Sequence, residues 1–227
     1  MKKISVIIPV FNEEKTIKEI IHLVKKVKLP LKKEIIVIND GSTDSSLDIL
    51  KGMKAINLFS HNNNLGKGAA VRTGLKHATG DVIMVQDADL EYNPLQIPSL
   101  IQPILRNKAE IVYGSRFLNP DNENWKIPSH YIGNLALSLL IRIMYRCKIT
   151  DVETCYKAFT KKVKNSVHLE LNDFGFETEF TAKSCKKGFK IMDVPIRHYP
   201  RLWNAGKKIN WKDGIKAFFY LIKFRLK

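Results

Sequence analysis

Five short runs rich in Val and Ile, at residues 4–10, 34–38, 55–59, 82–85 and 110–113, alternate with stretches that read as helices at 13–27, 45–51, 67–77 and 95–105. No other feature constrains the fold as strongly. Near-continuous apolar strands must be covered on both faces, and helices between successive strands supply that cover. The pattern therefore predicts an α/β fold with a mostly parallel sheet flanked by helices. In open sheets of this kind, ligands gather outside the carboxyl ends of the strands. Those ends are polar here. Phe11-Asn12-Glu13-Glu14 follows the first run, Asn39-Asp40-Gly41-Ser42-Thr43-Asp44 the second, residues 61–68 the third, and Gln86-Asp87-Ala88-Asp89 the fourth. Four polar loops at one sheet edge predict a single site.

The second half changes character. A loop rich in Asn and Pro (119–129) precedes an apolar helix at 131–147, a β-like segment at 156–160, a helix near 177–187 and a strand at 190–195. Residues 211–227 read as a C-terminal amphipathic helix. Lys212, Lys216, Lys223 and Lys227 form a narrow stripe there, beside a broad apolar face of Ile215, Phe218, Phe219, Ile222 and Leu226. Such a helix either adsorbs to an anionic membrane surface or packs on the core with its lysines in water. The helix at 131–147 presents the same two alternatives. We read residues 1–210 as one domain, with a first half at about 1–115 and a second half at about 116–210, followed by the 211–227 helix.

Thirty-eight Lys and Arg against 22 Asp and Glu give a net charge of +16, which favours polyanionic partners. No zinc-finger, RRM-like or helix-turn-helix signature accompanies it, so nucleic acid is not an expected partner. No apolar run approaches the ~18 residues of a membrane span, and the start lacks a secretory h-region. The expected location is cytoplasmic, with peripheral association at the inner face of the cell membrane. Cys147, Cys155 and Cys185 are too few and too irregularly spaced for a disulfide framework or a zinc site, and read as reduced buried thiols.

The loops carry recognisable chemistry. Asp87 and Asp89 lie two apart after a hydrophobic strand, where two carboxylates repel unless a cation joins them. Hard oxygen ligands suit Mg²⁺ or Mn²⁺, with Glu91 as a third contact. Asp40 could accept from a base or ribose, or simply serve its turn. Asp44 reads as a helix cap. Gly66-Lys67-Gly68 and Arg72 could meet anionic groups, and the small residues could equally let a helix pack tightly. Glu177 and Glu179 suit either a helix N-terminus or a direct role. His198 reads as a packing or surface residue.

Together these loops resemble the family 2 glycosyltransferases of the GT-A fold. The matching pieces are residues 7–14, residues 37–44, Asn64-Leu65-Gly66-Lys67-Gly68-Ala69 with Arg72 and Gly74, and Gln86-Asp87-Ala88-Asp89-Leu90. Further along, the resemblance narrows to polyprenyl-phosphate sugar transferases, similar to the dolichol-phosphate mannose and glucose synthases. It rests there on Pro94, Gly114-Ser115-Arg116, Asp151 with Lys157 and Phe159, Phe174-Gly175-Phe176-Glu177 with Glu179, and Val194-Pro195-Ile196.

The resemblance implies a Rossmann-like GT-A sheet and inverting transfer of a hexose from GDP-mannose, UDP-glucose or a UDP-HexNAc to a polyprenyl (dolichyl or undecaprenyl) phosphate. By it, Pro9, Phe11, Glu13 and Asp40 line the nucleoside pocket, with Lys67 and Asp87 also on the nucleotide. Asp87, Asp89 and Glu91 surround the metal, and Arg116 meets the lipid phosphate. Arg201 and Lys207 would hold acceptor phosphate or leaving group, and Glu177 would act if a carboxylate is required. Two departures stand out: Cys155 replaces a usual glycine, and Gly206-Lys207-Lys208-Ile209 replaces a Gly-x-Ser-Lys-like loop. A lipid monophosphate, with a second pKa near ~6, is already a nucleophile, so no general base is nominated. The rivals are a glycan- or protein-directed transferase of the same family, which needs a base, then a nucleotidyltransferase, a sugar-nucleotide sensor and a basic nucleic-acid-binding module.

Overall fold

Strand β1 (Lys3–Val10) alternates its side chains between two cores. Ile4, Val6, Ile8 and Val10 point into one, while Ile7 joins Ile36 and Ile38 of β2 (Lys32–Asp40) in the other. The computed structural model describes residues 1–122, 128–200 and 211–227, with backbone alone for 128–130 and 211–213.

A seven-stranded sheet runs in the order β3-β2-β1-β4-β6-β5-β7. Strands β3 (Asn57–His61), β2, β1 and β4 (Val82–Val85) are parallel, as are β5 (Ile111–Ser115) and β7 (Ile191–Pro195). Between them β6 (Lys157–Thr160) runs antiparallel to both β4 and β5. The expected mostly parallel α/β sheet is present, and the β-like segment near 156–160 supplies its reversed strand.

On one face lie α1 (Ile17–Lys26), α2 (Ser46–Lys51) and α4 (Ile97–Leu105). The other carries α3 (Lys67–His77), α5 (Pro128–Tyr145), α6 (Lys161–Ser166), α7 (Phe176–Lys186) and α8 (Trp211–Leu226). Helix α1 buries Ile17, Ile20, Ile21 and Val24, the i, i+3, i+4, i+7 stripe of a half-covered helix. It starts at Ile17 rather than at Glu13, after a turn in which the Glu13 carbonyl accepts both the Thr16 and the Ile17 N–H and which follows the left-handed Asn12, φ 52°. Strand β3 starts two residues later than expected, since Ala55 also adopts a left-handed turn.

One expectation is overturned. Cys147, just beyond α5, and Cys185, in α7, form a disulfide, with Cα atoms 6.0 Å apart. Irregular spacing along the chain hid their proximity, which arises where α5 packs on α7. Cys155 is a buried free thiol, as expected.

Candidate active site

The carboxyl ends of β1, β2 and β4, the start of α3 and the segment leading into α7 enclose a cleft of about 340 Å³. This lies within the range of small-molecule sites. Pro9, Phe11, Glu13, Asp40, Lys67, Asp87, Asp89, Glu91, Arg116 and Glu177 all line it. Every expected site residue among those described is therefore brought to one place. Arg201 and Lys207 lie outside the described residues.

Asp40 organises the loop that follows β3. Its Oδ1 pairs with His61 Nδ1 at 2.6 Å and accepts the Leu65 N–H, while Oδ2 accepts the Gly66 N–H at 2.8 Å. His61 in turn reaches Thr73 Oγ1 on α3. The carboxylate thus clamps the 61–66 loop, and Gly66 can bend there because its φ of 96° suits glycine. Asp44 precedes the cap residue Ser45 of α2 by one position, yet its carboxylate accepts the Ser46 N–H at the start of that helix and also the Glu14 N–H, tying the first loop to the second.

The Asp87–Asp89 turn is closed from beneath. The Gln86 amide donates to the Asp87 and Tyr92 carbonyls and accepts from the Tyr156 hydroxyl. Leu90 sits at a φ of 63°, and Asp89 Oδ1 accepts the Glu91 N–H. Glu91 Oε2 lies 3.1 Å from His198 Nε2, whose ring tilts against Tyr92. Asp87, Asp89 and Glu91 share the cleft but are not a ready-made ligand set. Among the described residues, no three His, Cys, Asp or Glu side chains gather closely enough to hold a metal ion. What fits is an ion held by Asp87 and Asp89 together with oxygens of a bound diphosphate, the usual magnesium arrangement.

Lys67, the first residue of α3, places its ammonium in the cleft. Its Nζ lies 2.8 Å from Asp87 Oδ1 and 3.3 Å from Glu177 Oε1, and 5.7 Å from the ring centres of both Phe174 and Phe176. Burial opposes its charge, but Asp87 and Glu177 outweigh burial and raise its pKa well above the ordinary value. Asp87 holds the closer partner. Glu177 is buried, its Oε2 has no hydrogen-bond partner among the described residues, and burial lifts its pKa to about 7. Burial first, then the Asp87 charge, also keeps the Cys155 thiol protonated.

Arg116 forms a two-pronged pair with fully buried Asp151, Nε and one terminal nitrogen each 2.7 Å from a carboxylate oxygen, and its own N–H adds a third bond. It stands at the cleft wall in a fixed orientation. Two further basic and acidic residues turn out to be structural. Arg72 binds the Glu170 and Leu171 carbonyls and the Asn172 side chain, and Glu179 accepts the Glu170 and Leu171 N–H groups.

The family profile described as Glycosyl transferase family 2 matches residues 5–166. The chain belongs to glycosyltransferase family 2. A UDP-N-acetylglucosamine–dolichyl-phosphate N-acetylglucosaminyltransferase of Methanococcus voltae is 29% identical to it over 246 residues, spanning 99% of this chain and 97% of that one. A dolichol-phosphate mannosyltransferase of Pyrococcus furiosus is 31% identical over 199 residues, 86% of this chain and 56% of the relative. Among solved structures, glucosyl-3-phosphoglycerate synthase of Mycobacterium tuberculosis, in complex with Mn²⁺, UDP and phosphoglyceric acid, superposes with a TM-score of 0.76 at 20% identity. It covers 99% of this chain and 78% of its own, and the likeness establishes the GT-A-like fold.

Three contributors to this glycosyltransferase site escaped the sequence reading. Tyr92, which stacks on Tyr156, and Glu153 line the cleft. Lys157, a matching residue with no assigned task, is buried with its ammonium on the Val152 and Thr154 carbonyls, shaping the loop that carries Glu153 and Cys155. Burial lowers its pKa to about 8. Only the lysine inside a β-like run hinted at it.

Proposed function

We propose that this glycosyltransferase moves a hexose or N-acetylhexosamine from a nucleoside diphosphate sugar to a polyprenyl phosphate, at the inner face of the cell membrane. The observation that carries the proposal is that Arg116, fixed by Asp151, lines the same cleft as the Asp87–Asp89 turn. On this reading the Asp87–Asp89 turn receives the diphosphate, through a bound cation, and Arg116 a second anion. The relatives named for dolichyl phosphate support the acceptor, and the full-length match to a UDP-N-acetylglucosamine enzyme favours a UDP-HexNAc donor over GDP-mannose.

In the reaction an acceptor phosphate oxygen attacks the anomeric carbon, the bond from that carbon to the diphosphate breaks, and configuration inverts. The phosphate is already ionised near neutral pH, so no side chain needs to remove a proton. Pro9 and Phe11 present an apolar wall to the base, and Asp40 and Glu13 shape the loops around it. Lys67 offers charge to the diphosphate, and Arg116 holds the acceptor against its repulsion. A divalent Mg²⁺ or Mn²⁺ on Asp87 and Asp89 would stabilise the departing diphosphate, as the Mn²⁺- and Mg²⁺-bound solved relatives support.

A second reading rests on Glu177. A carboxylate with a pKa of about 7 in the cleft has the proton affinity of a general base, which a hydroxyl acceptor would require. One incubation separates the two readings. Purified protein with labelled UDP- and GDP-sugars, Mn²⁺ and polyprenyl phosphate yields chloroform-extractable label under the lipid reading, and Asp89→Ala abolishes it. Label found solely on a soluble glycan or peptide acceptor would show the lipid assignment to be wrong.

A further inference from the structure

Two strands separate β7 from β4 in the sheet, yet the chain that leaves β7 returns to the turn that follows β4. Tyr92 and His198 form an isolated antiparallel bridge, and the Glu91 carbonyl accepts the Tyr199 N–H at 3.0 Å. The buried His198 ring lies against Tyr92 with ring centres 5.1 Å apart, and its Nε2 stands 3.1 Å from Glu91 Oε2. Gln96 clasps the same segment, donating to the Arg197 carbonyl and accepting the Arg197 N–H.

From His198 the bonding continues to Arg116. The His198 N–H donates to Asn122 Oδ1 at 3.0 Å, and Asn122 Nδ2 donates to the Arg116 carbonyl at 2.8 Å and to the Ile196 carbonyl at 2.6 Å. At the other end Glu91 is joined to the Asp87–Asp89 turn, because Asp89 Oδ1 accepts the Glu91 N–H at 3.1 Å. An unbroken path of hydrogen bonds thus links Asp89 to Arg116 through Glu91, His198 and Asn122.

We infer that Glu91, His198 and Asn122 are positioning residues, a strut that fixes the Asp87–Asp89 turn and Arg116 relative to each other. The Glu91 carboxylate then serves the imidazole, and the cation takes Asp87, Asp89 and diphosphate oxygens. The inference rests on the proposed function, in which that turn receives cation and diphosphate and Arg116 the acceptor phosphate.

Transfer gives such a strut its purpose. Two anions must be held at reacting distance against their repulsion, and a misplacement of about 1 Å is costly. The groups that hold them come from distant parts of the chain, Glu91 and His198 being 107 residues apart. Side chains that tie one such group to another set the spacing that each alone leaves loose. Packing against Tyr92 would be served by any ring of similar size and needs no nitrogen beside a carboxylate.

Mn²⁺ uptake by the full-length protein with UDP, read from the paramagnetic resonance of free Mn²⁺, tests the strut without turnover. His198→Phe keeps a ring against Tyr92 and removes Nε2, while Glu91→Gln keeps a hydrogen-bonding group and removes the charge. His198→Phe and Glu91→Ala should each weaken uptake roughly tenfold, with the double variant no worse than either. Glu91→Gln should stay within about threefold of the wild type. Equal losses in Glu91→Gln and Glu91→Ala would make Glu91 a metal ligand and overturn the inference. So would wild-type uptake in His198→Phe, which would leave the ring to packing alone. Should His198→Phe fail to fold, the contrast between the two Glu91 variants carries the same test. Asn122→Ala should raise the KM for polyprenyl phosphate about fivefold, the loss of one hydrogen bond, with Mn²⁺ uptake unchanged. An unchanged KM would overturn the link to Arg116. If the wild type takes up no Mn²⁺ with UDP or GDP, the reading of the turn as a cation site fails, whereas wild-type uptake that the variants leave intact sinks the strut alone.

Discussion

Burial acts on Lys67 and Glu177 with opposite outcomes, because one ammonium serves two carboxylates and stands closer to Asp87. Lys67 keeps its proton, and Glu177, with an oxygen unsatisfied among the described residues, gains one below about pH 7. In the unfolded chain Glu177 returns to its ordinary value of 4.5, so the folded state binds the extra proton between those two values. Its contribution to stability is therefore full below 4.5 and is lost as pH rises through about 7. Urea unfolding at about pH 5 and about pH 8 should show a fall of up to about 3 kcal/mol in the wild type that Glu177→Gln largely removes. The Arg116–Asp151 pair gives a second outcome at this scale. Asp151→Ala takes both prongs from a guanidinium with one-fifth of its side chain exposed, and should cost about 3 kcal/mol in the same assay. The carboxylate of Asp151 was visible in the sequence as a matching residue. Its service to Arg116 was not, because 35 residues separate them.

At the level of elements, the helix α3 glycines decide between the two readings open from sequence. A Cβ on Gly68 would stand 2.4 Å from the Leu171 carbonyl oxygen and 2.9 Å from that of Asp173. Backbone from the second half therefore occupies the space that a phosphate loop would offer its ligand, and the glycine is there for packing. Gly68→Ala should lose about 2 kcal/mol in urea unfolding despite alanine's better helix propensity. Gly133→Ala in α5, with nothing within 4 Å of the new methyl, should gain about 0.5–1 kcal/mol. Strands β1, β2 and β4 were legible because each is a buried Val and Ile run, and α3 because its small residues recur with helical spacing. The reversal of β6 was not, since apolar runs carry no sign of direction. Which way α8 turns its broad apolar face stayed open in the sequence for a related reason, and the structure turns Ile215, Phe218 and Phe219 outward. Periodicity reports that one face is apolar and says nothing of which side the protein occupies.

Across the whole molecule, the active cleft is assembled from both ends of the chain. Gly66 and Gly68 receive the 171–173 backbone, Arg72 grips the same segment, and that segment leads into the helix bearing Glu177. The motifs of the first hundred residues announced the part of the cleft built by the ends of β1, β2 and β4. The part contributed by the second half depends on how α7 and the segment before it pack on α3, and no local pattern encodes that packing. The Cys147–Cys185 disulfide fastens the end of α5 to α7 across 38 residues. By loop-closure entropy a cross-link of that span stabilises by about 4 kcal/mol. Reduction, or Cys147→Ser, should accordingly lower the unfolding free energy by about that amount. The loss should fall most heavily on hydrogen-exchange protection in α5 and α7, with the β1, β2 and β4 strands changed less. Equal stability with and without reductant would mean that the packing of α5 on α7 holds this half of the site without the bond.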